Sequence, residues 1–359
     1  MSAVKALSVS GYKSIRELRD FPLTNLNVLI GANGAGKSNF ISLFKLLNQM
    51  YEQNLQIYSQ VQGGPDALLH FGRNATQNLQ AKFFFAQNGY EFALIPTNDN
   101  RLVIQQENNW FATGHSADSY AESLGRGHEE SKLKTATSSV AQYVKHSINN
   151  WRVYHFHDTS EQARLKQIHP VNDNLHFKPD ASNLAPYLYM LKEKHPAHHQ
   201  LIVDTIRLVA PFFGDFIHRP DVEYVQLEWT QKNKSNTPFK ALHLSDGTLR
   251  FICLTTLLLQ PLSRLPDTIL IDEPELGLHP AAIRILAGML KQVAEEKQLI
   301  VSTQSVELVN EFTPEDIIVV EQENNASTFN RFTTERLSGW LEEYSLGELW
   351  LQNVLGGRP

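Results

Sequence analysis

The chain has 359 residues, enough for about two domains around a large buried core. Hydrophobic residues make up 42% and charged residues 19%, a globular composition that excludes a mainly disordered polymer. The 32 Lys and Arg stand against 38 Asp and Glu, and the formal charge of −6 excludes a bulk nucleic-acid coat while allowing a local basic groove.

In chain order, residues 1–107 open with a strand over Val4–Tyr12, a short apolar strand over Leu26–Ile30, and helical spacing over Ser38–Gln53 through Phe40, Ile41, Phe44 and Leu47. Residues 79–107 alternate polar and apolar, with a turn at Asn98-Asp99-Asn100, which predicts an antiparallel meander. Residues 108–240 read as a compact, mostly helical insertion, a lid or accessory lobe. Its polar start, Ala112–Ser139 with Gly114, Gly125 and Gly127, reads as weakly ordered, and helices are expected over Val140–Asn149, Pro186–Lys194 and Leu201–Phe213. Residues 241–359 alternate again. Helices are expected over Ser245–Leu259, Pro280–Lys297 and Ser305–Phe312, with strands over Thr268–Asp272, Gln298–Ser302 and Asp316–Glu321. This alternation implies a parallel sheet covered by helices. No internal repeat or low-complexity tract is present. No apolar signal core follows Met-Ser-Ala-Val-Lys, and Phe251–Leu259 is too short to span a bilayer. Cys253 stands alone, so no internal disulfide is expected. Together these point to a soluble, cytoplasmic protein without a membrane partner.

Gly31-Ala32-Asn33-Gly34-Ala35-Gly36-Lys37-Ser38 fits G-x-x-x-x-G-K-[ST], after a strand and before a helix. Glycines let successive backbone N–H groups face one concavity, and the helix start adds its positive end. The nucleotide-binding residues expected here are Asn33, Gly34, Ala35, Gly36, Lys37, Ser38 and Asn39, with Lys37 on the β- and γ-phosphates and Ser38 on Mg²⁺. The apolar run Thr268-Ile269-Leu270-Ile271 ends in Asp272-Glu273, a buried strand that brings acids to a sheet edge. Asp272 would hold Mg²⁺, and Glu273 would orient and deprotonate water. ATP and Mg²⁺ are the cofactors this pattern implies.

Leu244-Ser245-Asp246-Gly247 starts a helix about 27 residues before Asp272. In this the sequence resembles the ATP-binding-cassette (ABC) ATPases, whose Leu-Ser-Gly-Gly-like signature meets the ATP of a second subunit. Asp272-Glu273-Pro274-Glu275-Leu276-Gly277-Leu278-His279-Pro280 is similar to the Walker B and D-loop of RecF-like, AAA-type ATPases, relatives of OLD and structural-maintenance-of-chromosomes proteins. Tyr12-Lys13-Ser14-Ile15, Tyr154 to Ser160, Tyr344 to Trp350 and Gly356-Gly357-Arg358-Pro359 resemble the same group. The implied fold is an α/β P-loop NTPase of ABC type, a mixed sheet with an antiparallel meander plus the helical insertion. The implied assembly is a homodimer sandwiching ATP, with Ser245, Asp246 and Gly247 acting in trans.

One position departs from that group. The switch residue, usually His, is Gln304 in Ser302-Thr303-Gln304-Ser305; it can hydrogen-bond a γ-phosphate but carries no charge. It joins Glu273 as a candidate catalytic residue, with slow turnover expected. Gln60, Gln62 and Gln77 are all candidates for the glutamine that links Mg²⁺ to the accessory lobe.

His155 and His157 with Asp158 permit a metal reading, but a hydrogen-bonded structural pair fits better; His195, His198 and His199 beside Pro196 read as a solvated turn. His279 is a candidate subunit contact. Lys132, Lys134, Lys145, Arg152, Arg164 and Lys166 form either a solvated face or a DNA- or RNA-facing groove.

The function these features favour is an ABC-type ATPase that regulates a partner effector or a nucleic-acid contact. The resemblance group includes DNA-repair factors and ATPase subunits of anti-phage defence systems. No nuclease motif is present, so an effector such as a nuclease is expected on another chain. A non-hydrolysing, ATP-dependent scaffold stays open through Gln304, against intact Lys37, Asp272 and Glu273. A transporter subunit fits poorly with the Glu275–Pro280 loop and the large insertion.

Overall fold

The computed structural model describes residues 3–112, 120–219 and 222–358, so Gly114 and Pro359 lie outside the described residues. The chain forms two compact units, one from residues 1–151 with 313–359 and one from residues 152–312.

The first unit begins with strands β1 (Ala6–Tyr12), β2 (Ile15–Pro22) and β3 (Leu26–Ile30), then helices α1 (Lys37–Tyr51), α2 (Leu55–Val61) and α3 (Pro65–Leu68). Strands β4 (Leu79–Phe85), β5 (Asn88–Pro96), β6 (Leu102–Phe111) and β7 (Tyr120–Gly125) follow, then α4 (Ser139–Asn149). The antiparallel sheet runs β2-β1-β4-β5-β6-β7. Along β4, Leu79, Ala81, Phe83 and Phe85 are buried while the residues between them are more exposed, the period-two pattern of a sheet with one covered face. Register pairs Ala81 with Phe92 and Phe83 with Tyr90. Helix α1 covers the sheet: Phe44 meets Phe83 and Trp151 at centroid distances of 5.8 and 5.1 Å, both edge-on.

The second unit holds β8 (Trp151–Tyr154, its first residue at the boundary), β9 (His169–Pro170), α5 (Leu184–Lys194), α6 (Pro196–Val209), β10 (Phe213–Phe216), β11 (Tyr224–Val225), β12 (Glu228–Gln231) and β13 (Lys234–Lys240). Then come α7 (Asp246–Leu259), β14 (Thr268–Asp272), α8 (Pro280–Ala294), β15 (Gln298–Ser302) and α9 (Val306–Val309). Strands β14 and β15 pair in parallel from Thr268 opposite Gln298 to Asp272 opposite Ser302. Their apolar runs are buried throughout, as a strand covered on both faces requires. The chain returns to the first unit with β16 (Ile317–Glu323), β17 (Ala326–Arg331), α10 (Thr334–Leu341) and α11 (Leu346–Leu351). There β16 runs parallel to β3, with Val319 opposite Ile30, and antiparallel to β17.

Three expectations need correction. Residues 108–240 carry strands β7–β13 as well as three helices, and the boundary drawn at 107/108 falls inside β6. These strands are short or solvent-facing, so their sequence lacks the apolar alternation that reveals a half-buried strand. The described part of Ala112–Ser139 is ordered around a buried carboxylate. Glu107 accepts from Tyr90 Oη at 2.6 Å, Ser131 Oγ at 2.5 Å and Lys132 N at 3.0 Å, and lies 2.8 Å from His128 Nε2. His199 is buried within α6 instead of lying in a solvated turn, because Pro196 occupies the first turn of that helix and starts it. Among the described residues no helix is long and apolar enough to cross a membrane.

Candidate active site

In the first unit, β3 ends at Ile30 and α1 begins at Lys37, so the glycine loop spans the strand-to-helix turn. Two of its glycines are irreplaceable on steric grounds. A Cβ on Gly31 would lie 2.2 Å from Val320 O, and one on Gly36 would lie 2.1 Å from Ser327 Oγ. Both residues also have positive φ, 149° and 118°. Lys37 is buried, and its ammonium donates to Gly31 O at 2.6 Å and Ala32 O at 3.0 Å. Asn33, Gly34 and Ser38 are exposed along the loop, while Ala35 is buried.

Ser14 and Ser327 brace this loop, a role the sequence does not reveal. Ser327 Oγ donates to Ala35 O at 2.5 Å and lies 2.7 Å from Ser14 Oγ, whose hydroxyl can donate to it; Asn39 Nδ2 donates to Ser14 Oγ at 2.8 Å. The segment Leu355–Arg358 backs the other side. Gly357 N donates to Glu321 Oε1 at 2.9 Å, and the Trp350 indole donates to Gly357 O at 2.6 Å. A Cβ on Gly357 would sit 3.4 Å from Gly31 Cα.

The second unit gathers the acids. Asp272 closes β14 and accepts from Ser302 Oγ. Glu273 follows at φ 46°, its N–H bonded to Ser302 O at 3.0 Å. Gln304 Nε2 donates to Glu273 Oε1, so the expected switch residue and the expected base are in contact. Glu275, absent from the expected site, accepts from Thr303 Oγ1 at 2.6 Å and from Gln304 N at 3.0 Å. Burial pushes its carboxyl above the usual range, despite these bonds. Its only sequence signal is a second acid two residues past Glu273.

The helix expected to carry the signature, α7, leans on the same loop. Ser245 caps α7, accepting from Thr248 N at 3.2 Å, and Ser245 and Asp246 are exposed. A Cβ on Gly247 would come within 2.3 Å of Gly277 O. Arg250, one helical turn on, donates to Leu276 O at 2.9 Å and His157 O at 3.0 Å. His279 caps α8, with its Nδ1 3.3 Å from Ala281 N. Of the glutamines considered, Gln60 lies on α2, Gln62 caps it and accepts from Lys13 Nζ at 3.5 Å, and Gln77 precedes β4. No group of three or more His, Cys, Asp or Glu is placed to hold a metal ion among the described residues.

Strand, glycine cradle and helix in one unit, and in the other a strand ending in two acids beside a capped Ser-Asp-Gly helix, define a P-loop ATPase of the ABC class with a fold like the heads of structural-maintenance-of-chromosomes proteins. The chain belongs to the AAA_21 family, described as "AAA domain, putative AbiEii toxin, Type IV TA system", whose profile matches residues 26–310. Two solved structures share the fold. An Smc head bound to the C-winged helix domain of ScpA matches with a TM-score of 0.58 at 14% identity, over 94% of this chain and 99% of that one. An Smc head with an extended coiled coil, bound to the C-terminal domain of ScpA derived from Pyrococcus furiosus, matches with a TM-score of 0.54 at 13% identity, over 95% and 98%. No curated protein matches the chain in sequence.

Proposed function

We propose that this chain binds ATP with Mg²⁺, hydrolyses it slowly as a cytoplasmic homodimer, and uses that cycle to control an effector on another chain or a nucleic-acid contact. The observation that carries the reading is Lys37, a buried ammonium held on two loop carbonyls inside a glycine cradle. Phosphate oxygens are stronger acceptors for a cation than those carbonyls, so a nucleotide would draw the ammonium onto its phosphates. The Ser38 hydroxyl and the Asp272 carboxylate are the hard oxygen donors that Mg²⁺ prefers, and the ion would offset phosphate charge. Glu273 would take the proton of the water that attacks the γ-phosphorus, releasing ADP and phosphate, while Gln304 would donate to a phosphate oxygen. Ser245, exposed, and Gly247, half-buried, stand at a helix start and would meet the nucleotide of the second copy, where N–H groups favour negative charge.

The partner is proposed on two grounds: the Smc heads of like fold carry ScpA, and the family is one of toxin–antitoxin description. Gln304, bonded to Glu273, favours a second reading, an ATP-gated scaffold with little turnover, because a neutral amide brings no charge to the γ-phosphate. Nucleotide binding and phosphate release in three proteins separate the readings. Lys37→Ala should lose binding, since the loop loses its cation. Glu273→Gln should bind ATP and release no phosphate. Turnover by Glu273→Gln at the wild-type rate would remove Glu273 from the base role, and a wild type that binds without turnover would establish the scaffold.

A further inference from the structure

Glu275 is buried, yet only one of its two carboxyl oxygens has hydrogen-bond partners. That oxygen takes both the Thr303 hydroxyl and the Gln304 backbone N–H, at 2.6 and 3.0 Å. Thr303 Oγ1 in turn accepts from Ser305 N at 3.0 Å, so the whole turn after β15 hangs from one acceptor. At the other end of Gln304, the side-chain amide reaches Glu273. A carboxyl in such a place is costly unless its acceptor is needed, and packing alone would be served by an apolar side chain.

We propose that Glu275 is a positioning residue that fixes the backbone of Gln304, aims its amide at Glu273, and so sets the hydrolysis rate without touching nucleotide. The proposal rests on the ATPase reading given above. Because burial favours the neutral carboxyl, what the neighbours use is an acceptor oxygen, which an amide carbonyl also supplies. Removing the acceptor leaves a buried hydroxyl and a half-buried N–H unpaired, and the turn relaxes to pair them elsewhere. Gln304 then loses its aim.

Two measurements on Glu275→Ala, Glu275→Gln, Thr303→Val and Gln304→Ala test this. The first uses no nucleotide: the side-chain amide resonance of Gln304, identified by its loss in Gln304→Ala. It should move in Glu275→Ala and in Thr303→Val and return to the wild-type position in Glu275→Gln. The second is ATPase kinetics. In Glu275→Ala, kcat should fall on the order of tenfold to a hundredfold with KM within about threefold, the pattern of lost aim. Glu275→Gln should retain most of the rate, and Glu275→Ala should add little to Gln304→Ala in the double variant. An unmoved Gln304 amide in Glu275→Ala, a Gln variant as impaired as Ala, or full additivity with Gln304→Ala would overturn the proposal. A wild type with no turnover would overturn the ATPase reading instead, and the amide resonance would still decide the role of Glu275. Should Glu275→Ala fail to fold, Thr303→Val and Glu275→Gln give the same two readouts.

Discussion

Glu273 holds its position against its own backbone preference. A φ of 46° lies in the left-handed region, which costs a non-glycine residue about 1–3 kcal/mol and persists where neighbours enforce it. The enforcing bonds are Glu273 N to Ser302 O and the Gln304 amide on its carboxylate. Replacing Gln304 by His should exchange a neutral donor for one that can carry charge, a difference of about 1 kcal/mol. Gln304→His is therefore expected to raise the hydrolysis rate several-fold and leave the ATP dissociation constant within a few-fold. Loss of ATP affinity by a hundredfold would show instead that Gln304 holds the ground state. The strand-end acids and the glycine loop are legible in the sequence because a phosphate cradle and a buried strand each restrict residue types at fixed spacing. Ser14 and Ser327 are not legible: a serine-to-serine bond across 313 positions leaves no spacing to read. Glu275 sits in full view within a recognisable motif, but nothing local distinguishes a buried acceptor from a solvated acid.

The lobe around α6 and β10 contains a pair of histidines whose chemistry belongs to the packing of elements. His199 on α6 and His218, just past β10, place their Nε2 atoms 3.1 Å apart. Burial first, then the charges of His199 and Lys192, hold His218 down to about 3. Burial likewise lowers His199, and Lys192 adds to this while Asp215 opposes it. Below pH 6.5 the unfolded chain takes up a proton at His218 that the folded chain refuses, so stability falls as pH falls toward about 3. The slope approaches about 1.4 kcal/mol per pH unit for one such group. His218→Gln should flatten this acid limb in melting temperatures recorded from pH 8 downward; an unchanged limb would place the acid sensitivity elsewhere. The sequence shows the same division at this scale. Strands β14 and β15 are bounded to the residue because both faces are buried, whereas β7 is largely exposed within the stretch read as weakly ordered, and β12 is too short, with only Trp229 buried, to show an alternation. Helix α6 is misread in part because proline, taken as a break, is its first residue.

Over the whole molecule, Lys37 and Ser245 belong to different compact units of one chain. If signature and phosphate loop meet across two copies, Lys37→Ala and Ser245→Arg spoil different halves of each site, and a mixed dimer keeps one site whole. Mixing the two inactive variants should recover part of the ATPase activity that each lacks alone. Absence of recovery, with both folded and exchanging subunits, would rule out a shared site. The arginine is chosen because it crowds and desolvates the exposed cap without disturbing a core. Light scattering on Glu273→Gln with and without ATP reports the accompanying mass, and the mixture reports the chemistry.

The brace behind Gly31 gives the molecule an optical property of its own. Trp350 is fully buried and bonded to the carbonyl of Gly357, which in turn rests against the first glycine of the loop. An indole so placed emits according to the field and rigidity of its surroundings. Any ligand that reshapes the loop backbone acts on that emission through one residue. Of the five tryptophans in the chain, this one should turn a change in the loop backbone into a change of colour and intensity without a label.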